Sequence, residues 1–143
     1  MTGDAERIRA LRQRVGKSAD EIALLVGLGD MAYFDLESYD DELRTVLSLT
    51  QVKRLADAFD VPAAALFSDD VPKSEHRVSY DELVAIVKGH VDSGVGREAI
   101  EEEIGWDLGA FFESEEIAFS EYGVEFLQAL CTRLRIDWIA ALP

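Results

Sequence analysis

The sequence predicts an all-α protein made of two similar units of five helices each. Three observations carry that expectation. Apolar residues recur at helical spacing in most segments, as in Leu49, Val52, Leu55, Ala56 and Phe59. Ser18 and Glu21, three residues apart, open one such segment with the spacing of a capping box, and Gly27 stands where a left-handed cap would close it. A shift of 78 positions then sets Ile22 on Ile100, Val26 on Ile104, Gly27 on Gly105, Ala32 on Ala110, Tyr33 on Phe111 and Glu37 on Glu115.

Taken in order, residues 4–15 form the first expected helix, with Ile8, Leu11 and Val15 on one face. Its other face carries Arg7, Arg9, Arg12, Arg14 and Lys17, the densest run of bases in the chain. Residues 18–37 read as a short helix, a glycine turn and a second short helix, which is a helix-turn-helix. Ile22, Leu25 and Val26 line the first of the two; Met31 and Phe34, with Tyr33 and Leu36 beside them, give the second its buried stripe. Residues 37–47 are acidic and irregular and read as a loop with a short helical turn at most. Residues 48–59 are a clear helix, broken at Asp60-Val61-Pro62 and followed by a last helical turn at 63–67.

Residues 68–79 lack periodicity and contain Pro72, so the expected division is 1–68, a linker at 69–79, and 80–143. The plan then returns. Residues 80–90 form a helix through Leu83, Val84, Ile86 and Val87; 92–96 form a glycine-rich loop; 97–104 form a helix ending at Gly105; and 106–113 form a helix carrying Leu108, Phe111 and Phe112. A loop three residues shorter than its counterpart sets Leu55 on Leu130, Phe59 on Leu134 and Val61 on Ile136, so that Arg135-Ile136-Asp137 repeats the earlier break.

Composition narrows the function. A chain of 143 residues with 48% apolar content can bury one good core or two small ones. No apolar run has the length of a membrane span, and residues 1–17 are too charged for a signal peptide. The lone Cys131 excludes a disulfide framework and a cysteine-based zinc site, and its place among Leu127, Leu130 and Leu134 predicts a buried, inert thiol. A cytoplasmic location is therefore expected. The formal net charge is −15, from 29 acids and 14 bases, which makes nucleic acid and anionic lipid poor partners unless the bases gather on one face.

The first unit resembles the Cro/CI-type (XRE) helix-turn-helix family over about residues 6–67. The residues that carry the resemblance are Ile8-Arg9-x-Leu11-Arg12, then Ser18-x-x-Glu21-x-Ala23-x-x-x-Gly27, then Tyr33-x-x-Leu36-Glu37, then Leu55-Ala56 with Phe59-x-Val61 and Leu66-Phe67. Residues 80–142 look like a degenerate second copy without the serine cap and the basic first helix. The resemblance implies tandem bundles of five short helices and sequence-specific DNA binding as a dimer. It also implies that the helix after the turn enters the major groove.

Carried over position by position, the groove-facing residues would be Gly29, Asp30, Met31, Ala32 and Asp35. Direct readout uses Arg, Lys, Asn or Gln at such positions, and none is present. Residues 18–46 hold eight acids (Asp20, Glu21, Asp30, Asp35, Glu37, Asp40, Asp41, Glu42) and one base, Arg44. Each carboxylate about 6 Å from a phosphate costs on the order of 0.7 kcal/mol even in water, against the counterion release that drives most DNA affinity.

Two function classes follow. One is a non-enzymatic interaction protein that binds a partner with a basic surface, such as a nucleic-acid-binding protein or a toxin, through Asp30, Asp35, Glu37, Asp40, Asp41, Glu42, Glu113, Glu115 and Glu116. The other is a DNA-binding regulator that touches the phosphate backbone with Arg7, Arg9, Arg12, Arg14 and Lys17. The bland reading of those bases is a solvated face that offsets nearby acids. His76 and His90 have no ligand spacing, and the carboxylate runs read as solubilising rather than metal-binding. No nucleophile–base pair or phosphate-cradling loop stands out, so no enzyme, cofactor or metal is expected.

Overall fold

The computed structural model describes residues 3–69 and 77–143. The expected linker falls mainly on residues 70–76, which with His76 lie outside the described residues. The first half contains α1 (Asp4–Val15), α2 (Ala19–Val26), α3 (Asp30–Leu36), α4 (Glu42–Thr45) and α5 (Leu49–Ala58), closed by a 3-10 turn at Ala63–Leu66. The second contains α6 (Tyr80–His90), a π-type segment at Val91–Val95, α7 (Arg97–Ile104), α8 (Gly109–Glu113), α9 (Glu115–Glu121) and α10 (Val124–Leu134), closed by a 3-10 turn at Trp138–Ala141. The protein is all-helical, with one isolated β-bridge, Ser48 to Gly123, among the described residues.

Local chemistry explains the boundaries. Ser18 Oγ accepts the Glu21 N–H at 3.2 Å while the Glu21 carboxylate accepts the Ser18 N–H at 3.3 Å, the reciprocal cap expected at the start of α2. Ser48 and Gln51 make the same box at the start of α5. Gly27 and Gly105 close α2 and α7 with φ of 83° and 85°, a region open to glycine at little cost. The two breaks also match. Asp60 and Arg135 both take left-handed backbone, and the next N–H reaches five residues back, Val61 to Ala56 at 3.0 Å and Ile136 to Cys131 at 2.8 Å.

Three expectations for individual elements are corrected. In α3 the buried residues are Tyr33 and Leu36, whereas Met31 and Phe34 face solvent; in α2 Ile22, Ala23 and Val26 are buried and Leu25 is exposed. A seven-residue helix shows the core only about two turns, and here Tyr33, Leu36 and Glu37 take that face together. The helix expected at 106–113 begins at Gly109. The Glu101 carboxylate accepts the Leu108 N–H at 2.6 Å and the Asp107 carboxylate accepts the Gly109 N–H, which holds 106–108 in a turn. The shorter loop after it contains α9, started by Ser114, whose hydroxyl accepts the Ile117 N–H at 3.1 Å.

The buried apolar residues of both halves join one core. Ile8, Ile22, Val52, Leu55, Phe59 and Leu66 belong to it from the first half, and Val87, Ile100, Leu108, Phe111, Leu127 and Leu130 from the second. Each such side chain contributes roughly 1.5–3 kcal/mol by leaving water. Along the seam the Leu49 N–H, one of the donors that a helix start leaves free, is accepted by the Tyr122 carbonyl at 2.9 Å. Phe67 meets Trp138 edge-on with ring centres 5.2 Å apart, and the Arg44 guanidinium lies over both rings at 5.3 and 5.5 Å. Cys131 is fully buried among these leucines, and burial pushes its thiol pKa up to about 12.

Candidate docking face

Two of the bases on α1, Arg7 and Arg12, are spent on contacts inside the molecule. Arg7 is buried; it donates to Asp4 at 2.9 Å, to Asp69 at 3.0 Å and to the Leu66 carbonyl at 3.2 Å. Asp4 also holds Arg44 at 2.8 Å. Arg12 grips the Glu37 carboxylate with two bonds, 2.7 and 2.9 Å, and reaches the Lys17 carbonyl. Arg9 lies 3.9 Å from the same carboxylate and donates to the Glu37 carbonyl. Arg14 is exposed, reaching the Phe59 carbonyl at 3.4 Å, and Lys17 is half-buried. The reading of α1 as one solvated basic face is therefore corrected: Arg7 and Arg12 fasten the helix to the body of the protein.

Glu37 is the centre of this arrangement. It is buried with a bidentate partner, so it is a structural anion and not part of a free acidic surface. Burial alone would raise its pKa. The Arg12 hydrogen bonds, the adjacent Tyr33 hydroxyl, and the charges of Arg12 and Arg9 outweigh that and hold it below the usual carboxylate value. Arg12 is correspondingly held protonated, first by its bonds to Glu37. Tyr33 is 1% exposed, and its pKa is raised, by burial first and by the Glu37 carboxylate beside it second. Its hydroxyl lies next to Glu37 and Arg12 without making a hydrogen bond of good geometry, which leaves a buried polar atom unsatisfied.

The other predicted acids divide. Asp40 accepts the Ala5 N–H at 3.1 Å and so closes the start of α1. Asp30, Asp41, Glu113, Glu115 and Glu116 are exposed, and Asp35 and Glu42 are half-buried. Asp30 shares a cleft with Glu37, while Glu115 lines a separate hollow near Tyr80 and Leu142. Asp30 of α3 and Glu115 of α9 therefore lie in different clefts.

What sequence reasoning missed is the apolar character of the same face. Met31 is 75% exposed and Phe34 61% exposed on one side of α3, and Leu24 on α2 is 83% exposed. Leu25, Tyr39 and Val46 are exposed as well, so most of the large exposed apolar side chains among the described residues fall between positions 24 and 46. Of these, Met31 and Phe34 lie together beside the exposed Asp30 and Asp20, the character of a contact surface. Met31 and Phe34 line a cleft of about 490 Å³ whose wall includes Arg9, Arg12, Tyr33 and Glu37. One signal for this was already present: Tyr33-x-x-Leu36-Glu37 is an alternative stripe at the same spacing as Met31-x-x-Phe34. No helix among the described residues is long and apolar enough to cross a membrane. Compared with protein-family models, with curated proteins and with solved structures, the chain finds no match in any of the three.

Proposed function

We propose that the chain is a non-enzymatic regulatory protein of the Cro/CI type, two copies of one five-helix unit in tandem, that works through protein–protein contact. Its partner presents a basic surface, as a nucleic-acid-binding protein or a toxin does. The observation that carries this reading is α3 itself. The helix that would enter the major groove offers Met31 and Phe34 to solvent beside Asp30 and Asp35, with no base on it. Such a surface repels phosphate and carries no Arg, Lys, Asn or Gln to pair with base edges. It suits an apolar contact ringed by opposite charge, where complementarity sets the association rate and the apolar centre sets the affinity.

The repeated order of helices, the paired glycine caps at 27 and 105, and the paired breaks at 60 and 135 support the tandem reading. One observation favours the alternative, a DNA-binding regulator: Arg9 and Arg14 keep solvent contact on α1. A salt series of binding to heterogeneous duplex DNA separates the two. The expected result is no measurable binding at physiological salt. Nanomolar binding of a specific duplex, lost in Arg9→Ala and Arg14→Ala, would establish the alternative.

A further inference from the structure

Resting on that reading, we infer that the cleft between α1, α2 and α3 receives bulky apolar side chains from an amphipathic, lysine- or arginine-bearing segment of the partner. Two features of the cleft point to such an occupant. Met31 and Phe34 form an apolar ridge along its edge, open to water in the free protein. Its charged lining is three carboxylates, Asp20, Asp30 and Glu37, against two guanidiniums, Arg9 and Arg12. Glu37 takes up Arg12, so the charges presented outward are Asp20 and Asp30 against the half-exposed Arg9, a net negative rim.

An apolar side chain seated on Phe34 and Met31 covers surface that the fold leaves wet, and a flanking Lys or Arg meets Asp20 or Asp30. A second copy of the chain fits poorly, because a two-fold contact sets the same patch against itself and brings Asp20 and Asp30 toward their own counterparts on a molecule of charge −15. A basic amphipathic segment has the opposite sign and the matching apolar stripe.

The test uses the full chain and fluorescein-labelled peptides of about four helical turns, read by anisotropy at physiological salt and by amide NMR shifts. One peptide carries Leu and Trp on one face and Lys on the other. A second replaces Lys by Glu, and a third scatters the same apolar residues around the helix. The lysine peptide should bind, shifting amides of α2 and α3; the glutamate peptide should not bind, and the scattered one should be at least tenfold weaker. Met31→Ser with Phe34→Ser, both at exposed positions, should weaken binding at least tenfold with the circular dichroism unchanged.

Undiminished binding in the Met31/Phe34 double variant, or no binding of the lysine peptide, overturns the inference. Self-association that the same double variant abolishes would assign the cleft to a second copy and overturn it too. Shifts confined to α8 and α9 would remove the cleft and leave the protein-partner reading standing. Nanomolar duplex binding would remove the reading itself.

Discussion

The two halves of the molecule solve the same local problem in different ways. In the first, Tyr33 of α3 is buried against an ion pair, with Arg12 of α1 clamping Glu37 at 2.7 Å. In the second, the position 78 residues on is Phe111 of α8. It is buried among rings: Phe112 at 5.3 Å, Tyr80 at 5.8 Å and Phe126 at 6.0 Å, with Tyr122 stacked on Phe126 at 3.7 Å. The counterpart of Glu37 is Glu115, exposed on α9, and the counterpart of Arg12 is His90. The next position differs just as sharply. Phe34 stands in water, while Phe112 is half-buried, packed on Phe111 and covered by the Arg97 guanidinium at 5.7 Å. A buried polar network specifies one arrangement at a cost in desolvation, whereas an aromatic cluster adds area without needing partners. The first half keeps its polar lock and leaves Met31 and Phe34 outside; the second turns Phe111 and, in part, Phe112 inward.

The largest test of this contrast is to remove the aromatic pair members one at a time. Phe111→Ala should cost about 3–5 kcal/mol in denaturant unfolding, and Phe34→Ala no more than about 0.5 kcal/mol. Equal costs would mean that Phe34 is not a surface residue. Next comes the lock. Arg12→Ala leaves the Glu37 carboxylate buried without its main partner and should cost about 2–3 kcal/mol, while Glu115→Gln on α9 should stay within about 0.5 kcal/mol. A third comparison sets the shared features against each other. Gly27→Val and Gly105→Val should each cost about 1–2 kcal/mol from left-handed backbone alone, since a Cβ at Gly27 would meet only Arg54 at 3.6 Å and at Gly105 nothing within 4 Å. Markedly unequal melting shifts would show that the two caps are not equivalent.

The smallest effect is the response to acid. Glu37 has its pKa lowered in the fold from an ordinary 4.5, so its contribution is complete above that value. The contribution is lost as pH falls through the lower folded value. Glu37→Gln should therefore be less stable than the wild type at pH 7, with the difference narrowing toward pH 3. A difference independent of pH would place the anion elsewhere. Melting curves across that range provide the check.

Features set by neighbours along the chain were legible in the sequence. The Ser18–Glu21 box and the Gly27 cap need only a few consecutive residues, and both are present as read. The burial of Leu55 and Phe59 follows from the clear stripe of α5, which Phe59 extends as the capping residue. What was not legible depends on partners far away in sequence. Met31-x-x-Phe34 and Tyr33-x-x-Leu36 have identical spacing, and the choice between them is made by Arg12, 25 residues from Glu37. The start of α8 is set by the Glu101 carboxylate, and the roles of Glu37 and Asp40 by α1. Charge counting treated all these acids as surface. The fold had already recruited Glu37, Asp40 and Glu101.

The seam where the Tyr122 carbonyl accepts the Leu49 N–H also bears on how the chain reaches this state. Its two groups are 73 residues apart (122 − 49), whereas the helix caps close over three or four. Short helices form within about a microsecond, but a contact of that span must first overcome the entropy of a long loop. The seam should therefore close late, after each half has collapsed. Gly123 makes this measurable, because a Cβ there would stand 2.7 Å from the Leu47 carbonyl oxygen. In stopped-flow chevrons Gly123→Ala should speed unfolding while leaving the refolding arm nearly unchanged, as befits an interaction absent from the transition state. The lifetime of the folded molecule, more than its rate of formation, then rests on one glycine.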